Sequence, residues 1–227
     1  MELKLVLDYL KEADSKPNHR YYSWEHCFEY FQNAYKDGTL DSSEQSCIQL
    51  GFYLASWGMY RGSSFLLQTN SLVHKKAIDV LLDPKYEPLW NTDFGLESRF
   101  DLIQIAVDLQ GELYKAYRRY SEEVFGAQNN HQPINTLITK VILGTIGSLP
   151  AYDRYFVSGI KLDGRGLGVP NNKSIERLLK ICSSTPGLLE IQKQISESRK
   201  MNYPLMKILD MYYWQRGFNR TGPKDTV

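Results

Sequence analysis

Hydrophobic positions along this chain recur at helical spacing. Between Ser23 and Asp37, Trp24, Cys27, Phe28, Phe31 and Tyr35 fall at i, i+3, i+4, i+7 and i+11, which places them on one stripe of a helix. Ile134, Leu137, Ile138, Val141 and Ile142 repeat the pattern, as do Ile175, Leu178, Leu179 and Cys182. Leu96, Phe100, Ile103, Val107 and Tyr117 keep one phase through a long helix before Phe125. No series of alternating β-branched strands joined by hairpin turns appears, so the pattern predicts an all-α fold. Asp41, Ser42 or Ser43 is placed to cap one helix, and Asn172 or Ser174 another. Breaks fall at Asp37-Gly38, Asp83-Pro84, Gln128 to Pro133, Gly164 to Pro170 and Pro186-Gly187. At ordinary helix lengths this spacing predicts roughly nine or ten helices with short connections.

Two stretches depart from simple amphipathicity. From Ile48 to Leu67, Leu50, Phe52, Leu54 and Ala55 cannot share one narrow stripe, which predicts a central helix. That run is broken by Gly58 and by Arg61-Gly62-Ser63-Ser64, beside Trp57, Met59 and Tyr60. Such a turn is either a helix corner, where Gly and Ser are favoured, or a loop that offers a cation and aromatic faces to a nucleic-acid backbone or an extrahelical base. The second stretch runs from Thr136 to Ile160. An amphipathic helix ends near Gly144 to Gly147, and Leu149-Pro150 then precedes Asp153, flanked by Tyr152 and Tyr155. Pro150 suits the first turn of a new helix, with Asp153 early in it, where a carboxylate caps the helix or meets its positive end.

Composition narrows the class. A length of 227 residues with 42% hydrophobic and 13% aromatic residues predicts a folded core without disulfides, arranged as one helical domain over 1–218 with a tail at 219–227. Cys27, Cys47 and Cys182 lack any CxxC spacing and read as buried hydrophobes. No apolar run reaches the roughly 20 residues of a bilayer span, and MELKLVLDYLKEAD reads as an amphipathic helix rather than a cleavable signal, so a cytoplasmic monomer is expected. Lys and Arg total 27 against 26 Asp and Glu, so a nucleic-acid surface requires local clustering. Two clusters are candidates, against the plainer readings of a solvated face for the first and an ordinary flexible connection for the second. Lys115 to Tyr120 interleaves Arg118 and Arg119 with aromatics, and Lys161 to Pro170 carries three glycines with Lys161 and Arg165. Neither is a Walker loop, no GxSxG elbow is present, and His19, His26, His74 and His131 are scattered. No metal or cofactor is therefore expected.

In order and type, these segments resemble the helix-hairpin-helix DNA glycosylases, from about Trp24 to Gly217. Pro150-Ala151-Tyr152-Asp153 fits that superfamily's Pro-x-x-Asp segment. Phe52 to Trp57 resembles its central helix, followed by a DNA-wedging turn at Met59, Tyr60 and Arg61, and Tyr203 to Gly217 resembles its closing helix. The hydrophobic-Gly-hydrophobic-Gly hairpin is missing ahead of Thr136, and Gly144-Thr145-Ile146-Gly147 lies only six residues before Asp153. The resemblance implies hydrolytic removal of a damaged or modified base from double-stranded DNA, leaving an abasic site. Asp153 would be the catalytic residue. Trp57, Met59, Tyr60, Tyr152 and Trp24 would form the wedge and base pocket, and Arg61, Ser63, Ser64, Lys140, Arg118, Arg119, Lys161 and Arg165 would contact the backbone. Lys140 lies off the apolar stripe and reads as a solvated or DNA-contacting lysine, not a Schiff-base nucleophile. The degenerate hairpin suggests a specialised member, such as one acting in defence against phage DNA with modified bases. A non-catalytic helical module that binds nucleic acid or protein is the alternative.

Overall fold

A computed structural model describes residues 1–97 and 99–222. Among these residues eleven α-helices and five short 3-10 turns are present, with no strand. The helices are α1 (Lys4–Ala13), α2 (Tyr22–Lys36), α3 (Glu44–Ser56), α4 (Lys75–Leu81), α5 (Glu87–Trp90), α6 (Ile103–Phe125), α7 (Asn135–Thr145), α8 (Arg154–Ile160), α9 (Asn172–Ser184), α10 (Leu188–Arg199) and α11 (Leu205–Thr221). The all-α class follows from the sequence, and two more α-helices form than the lower expected number. No helix among the described residues is long and apolar enough to cross a membrane.

The centre of the fold is not α3. Ile48, Phe52 and Ala55 face solvent, Phe52 being 64% exposed, because α3 packs on α2, α4 and α7 with its other side only. The enclosed helices are α7, buried from Leu137 to Thr145, and α11, buried from Leu205 to Trp214. Around α7, side chains of α2 occupy the carbonyls that a helix end leaves unpaired. The Trp24 indole N–H donates to Leu143 O at 2.9 Å and the Gln32 amide donates to Thr145 O at 2.9 Å. The helix then closes with Gly147 at φ +78°, whose N–H returns to Ile142 O at 2.8 Å.

Helices α8 and α11 cross in backbone contact. A Cβ on Gly159 would strike the Tyr213 carbonyl of α11, and one on Gly217 would strike the Tyr155 carbonyl of α8. This crossing sets Asp153, at the start of α8, close to the inward face of α11. Pro150 lies outside α8 rather than in its first turn: Asp153 itself is the N-cap and the helix begins at Arg154. Ser43, one of the expected caps, closes the start of α3. Two other boundaries move: Asn171 rather than Asn172 or Ser174 caps α9, and Leu96 and Phe100 precede α6, which starts at Ile103. Of the expected tail at 219–227, residues to Thr221 continue α11 and 223–227 lie outside the described residues. All three cysteines are free and buried.

Candidate functional site

Four charged side chains meet around Trp57. On α8, Asp153 Oδ1 accepts the amides of Tyr155 and Phe156 at 3.0 Å each, which caps the helix, and Oδ2 stands 3.3 Å from Lys140 Nζ of α7. On α11, Lys207 Nζ lies 3.0 Å from Asp210 Oδ2, and Asp210 Oδ1 accepts the Ala151 amide at 3.0 Å. The turn between α7 and α8 is thereby tied to both helices, since the Tyr152 amide donates to Thr139 Oγ1 at 2.9 Å and Thr136 Oγ1 donates to Tyr152 O at 2.9 Å. Its Ala151 and Tyr152 amides are spent internally, so neither is offered to a phosphate.

Aromatic rings surround these charges. Tyr21 stacks between Tyr9, at 4.5 Å, and Trp57, at 5.2 Å, and Trp214 meets Trp57 edge-on at 6.2 Å. Lys140 Nζ is 4.9 Å from the Trp57 ring centre, while Lys207 Nζ is 4.9 Å from Trp24 and 5.8 Å from Trp57. The exposed Arg20 guanidinium stands 5.3 Å from Trp57 and marks the outer rim. The Trp57 indole N–H is buried without a hydrogen-bond partner.

Burial is the main cost of this arrangement. Lys140 is 3% exposed, Lys207 2% and Asp210 5%, and removing such ions from water is expensive unless they are paired. Burial pushes the Lys207 pKa down, against the opposing pull of Asp210, and pushes the Asp210 pKa up, against Lys207. Buried, mutually dependent ionisable groups of this kind concentrate at sites of function.

A cleft of about 560 Å³ is walled by Met59, Arg61, Ser63 and Ser64 on one side and by residues 130–134 on the other; Gly58, next to Trp57, lines it, and none of the four charged side chains does. Leu137, one helical turn before Lys140, lies in its lining. Gly58 at φ +74° and Gly62 at φ +59° allow the 57–64 turn to fold along this edge.

Several expected site residues sit elsewhere. Lys140 is not solvated: α7 is enclosed on all sides, so a position off its apolar stripe still faces protein, and Lys140 finds Asp153. Trp24, 1% exposed, is a core ring held by Leu143 O and beyond reach of an extruded base. Tyr152 points toward α9, its hydroxyl 2.7 Å from Ser174 Oγ. The Tyr60 hydroxyl lies 2.7 Å from Nε2 of the fully buried His74, whose Nδ1 lies 2.8 Å from the Tyr117 hydroxyl. Arg118 binds the carbonyls of Ala127, Asn129 and His131 and pairs with Glu122, so it fastens the loop after α6 instead of facing phosphate. Arg119, Lys161 and Arg165 are exposed, and Arg61 and Ser63 are exposed at the cleft, with Ser64 half-buried.

The sequence reading missed Arg20, Tyr21, Lys207 and Asp210. Lys207 and Asp210 did leave a signal, as the only charges between Tyr203 and Trp214. Arg20 and Tyr21 left none, since their stacking on Trp57 joins separate parts of the chain. Among the described residues no group of three or more His, Cys, Asp or Glu is placed to hold a metal ion. In comparison with known proteins, no family model matches the chain, and no curated protein or solved structure matches it significantly.

Proposed function

We propose that this protein is a DNA glycosylase that hydrolyses the bond between a damaged or modified base and its sugar. The observation that carries the reading is the Asp153–Lys140 pair at 3.3 Å, with Lys140 Nζ 4.9 Å from the ring centre of the half-buried Trp57. A base that has left the stack needs an aromatic face, and the half-buried Trp57, backed by Tyr21 and with Arg20 5.3 Å from its ring, is the side chain suited to it. As the C1′–N bond breaks, the sugar becomes positively charged, and a fixed carboxylate at Asp153 lowers the energy of that state. Water adds its oxygen to C1′, and its proton ends on the departing base. Lys140 and the cap hold the carboxylate in place, and Lys207 with Asp210 braces the turn that carries it.

The test is incubation with a panel of damaged oligonucleotides and genomic DNAs bearing modified cytosines, followed by alkaline cleavage at abasic sites. Alkali-dependent breaks made by the wild type support the reading. A second reading, a nucleic-acid-binding module, is favoured by one feature: both oxygens of Asp153 already have structural partners, in the α8 cap and in Lys140. Undamaged DNA that is bound but never loses a base would favour that module.

A further inference from the structure

A second charged surface lies at the far end of α8. The glycine-containing segment after it and the outer face of α9 enclose a groove of about 620 Å³. Lys173, Arg177 and Lys180 occupy positions i, i+4 and i+7 of α9 and so share one face, and Arg165 enters from the segment opposite. Lys173 Nζ comes within 3.8 Å of the position a Cβ on Gly166 would take, so the lysine lies along the turn's backbone. Gly164 and Gly166, at φ +156° and +82°, hold that turn open in a conformation L side chains rarely adopt.

The groove's carboxylates are already engaged. Asp163 accepts from Arg216 at 2.6 Å and from the Tyr213 hydroxyl, and Glu176 pairs with Lys180. Among the described residues Arg165, Lys173 and Arg177 have no carboxylate within ion-pair distance. The groove's lining therefore carries four cations against two carboxylates, an excess of about two positive charges, with Arg165, Lys173 and Arg177 outside any ion pair among the described residues, on a chain whose formal net charge is only +1. Such local excess is the electrostatic footprint of a polyanion.

We propose that this groove binds the phosphodiester backbone of DNA, several nucleotides away from Asp153. Asp153 and Asp163 are separated by ten residues, most of them in α8, or about 15 Å at helical rise. Along one DNA strand that span covers about four nucleotides. The groove takes over the positioning role that the α7–α8 turn, with its amides spent internally, does not fill. The partner's identity rests on the glycosylase reading, but binding at the groove requires no catalysis.

The test is binding of a labelled 30-base-pair duplex across a range of NaCl concentrations. The wild type is compared with Arg165→Gln/Lys173→Gln/Arg177→Gln and with a control that neutralises Lys4, Lys11 and Lys193. The groove variant is expected to lose at least tenfold in affinity at low salt, and its log–log salt slope to fall by about 2 to 3, near 0.9 for each phosphate that is no longer neutralised. The control should retain the wild-type slope. A groove variant with wild-type affinity and slope overturns the proposal, even if base release persists. Tighter binding of the wild type to anionic phospholipid vesicles than to the duplex also overturns it. Groove-dependent binding without base release on any DNA would leave the groove standing and remove the glycosylase reading.

Discussion

Lys140 and Asp153 stand 3.3 Å apart between α7 and the start of α8, and the two carboxylate oxygens of Asp153 are divided between two tasks. Oδ1 caps α8 through the Tyr155 and Phe156 amides, and Oδ2 faces the buried ammonium. Asparagine retains a capping oxygen, whereas alanine retains neither function. Asp153→Ala should therefore be less stable than Asp153→Asn by about 1 kcal/mol, the usual worth of an N-cap, in urea denaturation. Equal midpoints for the two variants would show that the cap contributes nothing.

Lys207 and Asp210 form the deeper pair, at 3.0 Å within α11. Lys207→Met strands a buried carboxylate, and an apparent loss of about 3 kcal/mol or more is expected. Adding Asp210→Asn removes the charge while keeping an acceptor for the Ala151 amide, so the double variant should be more stable than Lys207→Met alone. A double-mutant cycle measures the coupling, and simple additivity would contradict a direct interaction.

His74 makes stability depend on pH. Burial lowers its pKa to about 3, whereas an unfolded histidine titrates near 6.5. As pH falls below about 6.5 the unfolded chain takes up a proton that the folded chain refuses. Its contribution is complete above that pH and declines toward pH 3, with about 2 kcal/mol lost by pH 5. His74→Leu should lower stability at neutral pH by unpairing the Tyr60 and Tyr117 hydroxyls, yet flatten the slope between pH 6.5 and 5. An unchanged slope in that variant would assign the titration to another group.

Gly159 and Gly217 permit the backbone contact between α8 and α11. Either Gly→Ala change forces the helices apart, and a loss of several kcal/mol is expected despite alanine's better helix propensity. A melting temperature equal to or above wild type for Gly159→Ala would show that the crossing relaxes freely.

The helices were legible where burial follows a single stripe. In α2, Trp24, Cys27, Phe28 and Phe31 are buried as their spacing implies, and Ile175, Leu178, Leu179 and Cys182 of α9 are buried likewise. Periodicity failed at α3, where apolar Ile48 and Phe52 face solvent, because an apolar side chain does not by itself show what covers it. The site was legible in part. Trp57 and Asp153 stood out as residues near breaks, but the position of Lys140 depends on α7 being enclosed, and the stacking of Tyr21 on Trp57 depends on tertiary packing. The Tyr60–His74 contact was not legible, because nothing local announces that distant His74 will hold its hydroxyl.

The most direct measurement is single-turnover release of free base, followed by mass spectrometry, from a substrate duplex identified in the abasic-site screen. Wild type and Asp153→Asn are compared at equal, saturating protein. The account predicts base release by the wild type and a loss of at least a hundredfold in Asp153→Asn with DNA affinity retained. Release at the wild-type rate by the asparagine variant would contradict the assignment of Asp153 as the catalytic residue.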